Sequence, residues 1–386
     1  GEGMQLVWEM EYAPSDPNIV YLITDSNQVW KSTDGGATWL PKHKGFLAWG
    51  GNSIAIHPTN PNLIFASAGG MSIYHPAGEE KGVYRSTDGG ENWTKVKVLT
   101  YVREHLKGDR VSFTFDGSVI YAGSDTEGLW KSTDSGTTWV SVKDGAGATI
   151  SNGVKITDVR PHPSDAQILF ICNSNGLYKV TDSGASATIV QRAAGLLPNK
   201  PFMSVIDKNT PNTMYAAITL GAGHGVYKST DAGVTFTVKN GGLSTAIGGG
   251  MRLTNISISP ADPNYLFVCF YNYIYYTQDG AATNWISPTS QDEQNVDGWV
   301  CNSLHQNTNA GNVFNSWDGG RAAFHPTDKN TALVWGWPEI IKKTINGGEV
   351  IKYAGTSTGV GQTGNYAYDI DWDKNNPNRY CRFSID

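Results

Sequence analysis

Five tryptophans, Trp49, Trp299, Trp317, Trp335 and Trp337, lie beside glycines or inside long polar inserts. An indole presented in such a place offers a flat apolar face. Sugar rings carry apolar C–H faces that stack on it at small entropy cost. Trp299 and Trp317 fall in the segment 286–320, which with 67–84 and 99–109 forms the long inserts of the chain. Loops of that length in a compact fold are usually functional. The expectation is therefore a carbohydrate-binding wall at 286–320, with these five indoles as substrate platforms. His105, His224 and His305 also sit in loop-like sequence and have the chemistry of general bases near neutral pH, although each reads first as a surface residue. Trp8, Trp30, Trp130 and Trp372 lie in strand-like runs and read as core.

Other chemistries are excluded by type and spacing. Cys172, Cys269, Cys301 and Cys381 are widely separated, with no C-x-x-C pair and no nearby histidine set, so neither a metal site nor a dense disulfide framework is expected. One disulfide stays open, and no cofactor is indicated. With 29 basic against 35 acidic side chains and no Lys/Arg cluster, nucleic acid is not an expected partner. No window approaches the roughly 18 consecutive apolar residues of a membrane span, so no membrane partner is expected either. The opening Gly1-Glu2-Gly3-Met4 carries no export signal, which leaves a removed leader or an intracellular location as the two readings.

The elements that must position such residues are repeated. Lys31-Ser32-Thr33-Asp34-Gly35-Gly36-Ala37-Thr38-Trp39 returns at 85–93, 131–139 and 228–236, and in weaker form at 179–184, 277–285 and 343–348, seven copies in all. Ahead of each lies an alternating apolar run, a Pro/Asn/Asp turn and a second apolar run, as in Ile54–Ala66, which reads as a hairpin. Equivalent residues of the first run (Glu11, Ile56, Phe113, Val159, Val205, Ile258, Phe324 and Ile370) recur at steps of 45 to 66 residues. Glycine is abundant, at 45 residues, and charged residues make up 17% against roughly 25% in ordinary domains, so sheet and turn dominate. Units of about four antiparallel strands must bury both faces, and the closed solution is a propeller. We expect an all-β, seven-bladed β-propeller of four-stranded antiparallel blades over 1–365, with the repeated box at the turn between third and fourth strands. Residues 366–386 begin an eighth hairpin, which either closes the ring or opens a second propeller.

The Ser-x-Asp-x-Gly-x-Thr-Trp element is the Asp-box. Asp34, Asp88, Asp134, Asp182 and Asp231 are expected to be structural, their carboxylates holding backbone N–H groups of the turn. Asp-box propellers occur in sialidases, sortilin-type receptors, photosystem assembly factors and glycoside hydrolase family 74. The arginine triad, Tyr–Glu pair and Phe-Arg-Ile-Pro start of sialidases are not found. The run Ala13-Pro14-Ser15-Asp16-Pro17-Asn18-Ile19-Val20-Tyr21-Leu22-Ile23-Thr24-Asp25 resembles the first blade of family 74. Gly108-Asp109-Arg110-Val111, with Gly128-Leu129-Trp130-Lys131-Ser132-Thr133-Asp134, resembles its Gly-Glu-Arg-Leu and Gly-Leu-Trp-Arg-Ser-Thr-Asp strands. The likeness covers roughly residues 8 to 240.

That resemblance implies an endo-β-1,4-glucanase of xyloglucanase type, secreted or extracellular, acting on a polysaccharide or oligosaccharide by an inverting two-carboxylate mechanism. It places one catalytic carboxylate at Asp25, although here the run continues Ser26-Asn27-Gln28 where the family has Val-Gly-Gly. The second family aspartate lies in Asp-x-Gly-Gly-Phe-x-His. Its one echo, Asp318-Gly319-Gly320-Arg321-Ala322-Ala323-Phe324-His325, has different spacing. The family has two propellers with the sugar cleft between them, so a second propeller is an implied partner. The other class of reading is a non-catalytic Asp-box propeller that binds a glycan or a protein through its loop face.

Overall fold

The computed structural model describes residues 7–24, 28–48, 50–69, 80–101, 108–192, 203–219, 221, 223–270, 273–290, 321–336, 339–353, 367–372 and 380–384. Seven antiparallel sheets follow one another along the chain, each running in strand order from the axis outward. The innermost strands are Val7–Ala13, Gly51–His57, Val111–Phe113, Ile156–Pro161, Met203–Ile206, Leu253–Ile258 and Arg321–Phe324. Each packs on the next, and the seventh packs on the first, so the ring is closed without the hairpin of Ala367–Trp372 and Tyr380–Ser384. Every first-run residue from Glu11 to Phe324 named above lies in one of these strands.

Burial explains the strand sequences. Second strands are covered on both faces by neighbouring blades, so they read as unbroken apolar runs rather than alternations. Met214–Ile218 and Leu266–Phe270 are buried at every position. Each Leu, Ile, Val, Phe or Met among them contributes about 1.5–3 kcal/mol by leaving water. Outer strands face solvent and are short, two residues in Leu40–Pro41, Val140–Ser141 and Thr237–Val238, which limits the exposed edge.

Blades 1 to 5 have four strands each. Blade 6 has three, and blade 7 has five, because Thr289–Ser290 leaves blade 6 and pairs in parallel with Val350–Tyr353. The break follows Pro288, which has no N–H to give to a ladder; only the single bridge of Tyr276 with Ile286 remains of the expected fourth strand.

The boxes sit where the sequence places them, between third and fourth strands. In blade 2 the Ser86 hydroxyl accepts from the Gly90 N–H at 2.9 Å and donates to Asp88 at 2.8 Å. Asp88 in turn accepts from the Asn92 N–H at 3.0 Å. The same bonds recur around Asp34, Asp134 and Asp231. Hydrogen bonds from Thr138 and Thr235 hold the Asp134 and Asp231 carboxyls down at about 2. Ser86 is 1% exposed, so Ser86→Ala orphans a buried N–H and is expected to lower unfolding free energy by about 1–3 kcal/mol. Urea denaturation measures this, and a loss near zero contradicts the box as a staple.

A second staple was not anticipated. The Lys or Arg that opens the box, with a residue of the second strand, reaches the box turn of the following blade. Arg85 donates to the Ser135 carbonyl at 2.8 Å, and Lys228 and the Tyr215 hydroxyl both donate to the Gly280 carbonyl at 2.8 Å.

Candidate functional site

An innermost strand begins at one face of the ring and ends at the other. Segments joining second to third strands, or one blade to the next, therefore emerge on one face, while the boxes and Pro turns occupy the opposite face. Apart from Trp335, the carbohydrate-site residues expected from sequence have their described flanks in the first set. Asp25, Trp49, Trp299, Trp317, Asp318 and Trp337 lie outside the described residues, as do His105 and His305. Their described flanks are nonetheless placed.

Asp25 follows the second strand of blade 1, Asp16–Thr24. Thr24 is fully buried and its N–H donates to the Gln28 carbonyl at 2.9 Å. The Gln28 side chain accepts from the Trp30 indole N–H at 3.1 Å, so both ends of the 25–27 segment are anchored. Trp49 is flanked by Gly50, whose carbonyl accepts from the Gly69 N–H at 3.1 Å. The segment carrying Trp299, Trp317 and Asp318 starts beyond Ser290, at the outer edge of blade 7, and returns at Arg321, on the axis.

One sequence expectation changes. Trp335 is 1% exposed and packs with Met10, Leu22, Trp39 and Leu333 between blades 7 and 1, so it is core and offers no face to a sugar. Its strand, Ala332–Gly336, is a second strand, the most enclosed position of a blade. Asp182 is structural and holds its turn, accepting from the Gly184 N–H at 2.9 Å. Val180 replaces the box serine, and the carboxylate also reaches blade 3, accepting from Lys131 at 2.7 Å and from the Tyr121 hydroxyl at 3.0 Å. Among the expected core indoles, Trp8 and Trp30 are buried, and Trp130 is half-buried beneath the Lys97 ammonium. His224 is 8% exposed, lies edge-on to Phe270, and burial lowers its pKa.

Charge gathers where sequence reasoning did not look, on the axis. A cavity of about 290 Å³ is lined by Glu9, Glu11, Asp109, Arg160 and Asn255 together with apolar side chains of blades 5 to 7. Asp158 is fully buried beside it. It accepts from the Asp109 N–H at 2.9 Å, the Ser204 N–H at 2.8 Å and the Ser204 hydroxyl at 3.2 Å, and pairs with Arg160 at 3.2 Å. Arg160 also pairs with Asp109. One carboxylate thereby ties blades 3, 4 and 5. Burial pushes its pKa up to about 6 against the pull of Arg160. Burial, then the charges of Asp109 and Glu9, raise Glu11 well above the usual carboxylate range.

The Gly-Asp-Arg-Val run is explained by the same packing. A Cβ on Gly108 would lie 2.5 Å from Asp158, Asp109 is the Arg160 partner, and Arg110 is buried against Asp125 at 2.7 Å. These residues are singly spaced along separate strands, so no local pattern announces their meeting.

No protein-family model matches the chain. A xyloglucanase of Hypocrea jecorina is 24% identical over 252 residues, covering 61% of this chain and 27% of that protein. The solved family 74 xyloglucanase of Xanthomonas campestris superposes with a TM-score of 0.70 at 18% identity, over 95% of this chain and 55% of that one. YCF48 from Cyanidioschyzon merolae superposes at 0.53 and 15% identity, over 90% of this chain and 95% of that one. The chain thus spans about a quarter of the curated relative and about half of the solved xyloglucanase. Closed ring, blade order and sequence likeness converge on one statement: this is a seven-bladed β-propeller resembling those of glycoside hydrolase family 74.

Proposed function

We propose that the propeller is a glycoside hydrolase of xyloglucanase type, cleaving a β-1,4-glucan backbone with inversion. The observation that carries this reading is positional: the flanks of Asp25, Trp49, the 291–320 segment and Trp337 all lie on the loop face, on blades 1 and 7, which are neighbours in the ring. A carboxylate and several indoles brought to adjacent blades make a wall against which a glucan backbone can stack. Inversion needs an acid and a base about 6.5–9.5 Å apart, with room for water. Asp25 supplies the base that deprotonates the attacking water. The acid, which protonates the leaving oxygen, is Asp318 or a carboxylate of a second propeller apposed to the same face. A polymeric substrate of this size is met outside the cell, in keeping with a secreted enzyme.

Xyloglucan, a sialylated glycan and an anionic algal glycan, each incubated with the protein, test the reading through reducing ends and unsaturated-uronate absorbance. Reducing ends from xyloglucan alone are expected, with the inverted anomer first by NMR. Asp25→Ala should lower the rate about 10²–10⁴-fold, the usual worth of a positioned acid or base. Undiminished hydrolysis by that variant removes Asp25 from the mechanism. A second reading, a propeller that binds without catalysis, is supported by the likeness to YCF48 solved bound to D1 peptide, which spans 96% of that chain. Saturable glycan or protein binding with no product from any glycan decides for it.

A further inference from the structure

Outer strands are the open edges of this ring, and in most blades something blunts them. Leu40–Pro41, Val140–Ser141 and Thr237–Val238 are two residues long, and the first ends in proline. Thr94–Lys97 carries Lys95 and Lys97. Val350–Tyr353 is covered by Thr289–Ser290. Short, charged, proline-bearing or covered edges are the usual guards against strand addition. Ala187–Arg192 of blade 4 has none of them. It is six residues long, Ala-Thr-Ile-Val-Gln-Arg, with a single charge at its last position. Its apolar β-branched side chains lie in the open, Ile189 37% and Val190 49% exposed.

The free backbone groups of this edge follow from its ladder. The Asp182 N–H donates inward to the Gln167 carbonyl at 2.7 Å, and Ala187, its cross-strand neighbour, donates outward to the Lys143 carbonyl at 2.7 Å. Backbone direction alternates along a strand, so the N–H and C=O of Ile189 and Gln191 also point outward, and no described residue pairs with them. Asp144 bridges Ala187 in parallel, which closes the lane beside the strand at that end and leaves it open from Thr188 onward. Opposite charges mark the two ends. Arg192 has no partner for its Nε and no carboxylate among the described residues. Asp144 accepts from the Ala146 and Ala148 N–H groups at Oδ1, both at 2.9 Å, which leaves its Oδ2 uncommitted.

We propose that two copies of the propeller associate through this edge, their blade 4 outer strands pairing antiparallel about a two-fold axis at Val190. A strand whose outward groups sit at Ile189 and Gln191 is complementary to itself in that register. Ile189 of each copy exchanges N–H and C=O with Gln191 of the other. The two Val190 side chains face each other across the axis as a non-hydrogen-bonded pair, the closer kind, and cover their exposed surface. Arg192 of each copy falls opposite Thr188 of the other, next in the lane to Asp144. An unrelated strand would satisfy the backbone equally, but opposite charges at opposite ends of one edge are what an antiparallel copy of that edge matches. Such a contact is isologous and closes at two chains. Blade 4 lies across the ring from blades 1 and 7, so the proposed glucan wall stays open and the two readings are tested separately.

Sedimentation equilibrium of the 386-residue chain over a concentration series tests the pairing. Weight-average mass is expected to rise from one chain to two and to stop there. Val190→Lys sets like charges against each other on the axis from an exposed position, and should weaken association at least about tenfold with Tm unchanged. Ile189→Pro removes an outward N–H while sparing the ladder to Gly176–Asp182, and should weaken it similarly. Arg192→Glu and Asp144→Lys should each be monomeric alone, because like charges then meet at both ends, and should associate when mixed, because opposite charges do. Asp144 also holds its own turn, so if Asp144→Lys fails to fold, Val190→Lys and Ile189→Pro decide. A single-chain mass at every concentration, growth beyond two chains, unchanged association of Val190→Lys and Ile189→Pro, or folded charge variants that stay apart on mixing overturns the proposal.

Discussion

Arg321→Met should destabilise the propeller by about 3–5 kcal/mol, the range observed when one partner of a buried ion pair is removed. Arg321 is 4% exposed at the start of the innermost strand of blade 7. Its guanidinium donates to the Trp8 carbonyl, lies over the Trp8 ring at 5.8 Å and pairs with Glu9 at 3.4 Å, all in blade 1. These contacts join residues more than 300 positions apart and hold the ring shut. Without the guanidinium, Glu9 loses this counter-charge in a buried setting. Glu9→Gln in the Arg321→Met background should recover part of the loss, because the buried charge that lost the guanidinium is then gone. Urea denaturation of the two variants and wild type checks this. A loss under about 1 kcal/mol in the single variant, or no recovery in the double, contradicts a closure held by this pair.

The second large effect concerns Asp158 and carries a sign in pH. A carboxyl whose folded pKa stands near 6, above its ordinary 3.8, costs the folded state stability as pH rises from about 4 to 6, because only the unfolded chain ionises freely there. The full shift corresponds to about 3 kcal/mol. Three histidines work in the opposite direction. His57, His162 and His325 close first-to-second-strand turns by accepting, at Nδ1, the N–H two residues on, at 3.2, 3.3 and 3.3 Å. Burial lowers each pKa, so their contribution is lost as pH falls below the usual histidine range. The prediction is therefore made for a difference. At pH 7, Asp158→Asn should be less stable than wild type, because one of its amide N–H groups must face a backbone donor that the carboxylate now accepts from. The gap should widen by up to about 3 kcal/mol as pH falls from 6 to 4, where wild type regains stability and the amide does not. Melting curves of both proteins across that range decide it. A gap constant with pH means that Asp158 titrates as an ordinary carboxylate.

Much of the architecture was legible because it is local. A box closes through bonds spanning two to four residues, Ser32 to Asp34 and Asp34 to Thr38, so its residues must sit close together in the chain and their recurrence counts the blades. Strand pairing within a blade is also sequential, and the alternation of apolar runs and Pro turns locates the innermost strands from Glu11 to Phe324. The exception in blades 6 and 7 came from Pro288, whose consequence depended on a free edge nearby to receive the departing strand. The expectation for the site rested on residue types in inserts, and the strand order places the described flanks of those inserts on one face.

Contacts between blades were not legible, for a geometric reason. Trp335 stands beside a glycine as an exposed indole would, and only the packing of blade 7 on blade 1 buries it. Asp158, Arg160 and Ser204 stand on two innermost strands and Asp109 just ahead of a third, each ordinary by itself, and they meet because the strands converge on an axis. By itself the sequence determined the repeat, the number of blades and the box turns, since each depends on bonds across a few residues. Ring closure by Arg321 and the axial charge cluster were decided only by tertiary structure, because they arise where segments tens to hundreds of residues apart share one low-dielectric space.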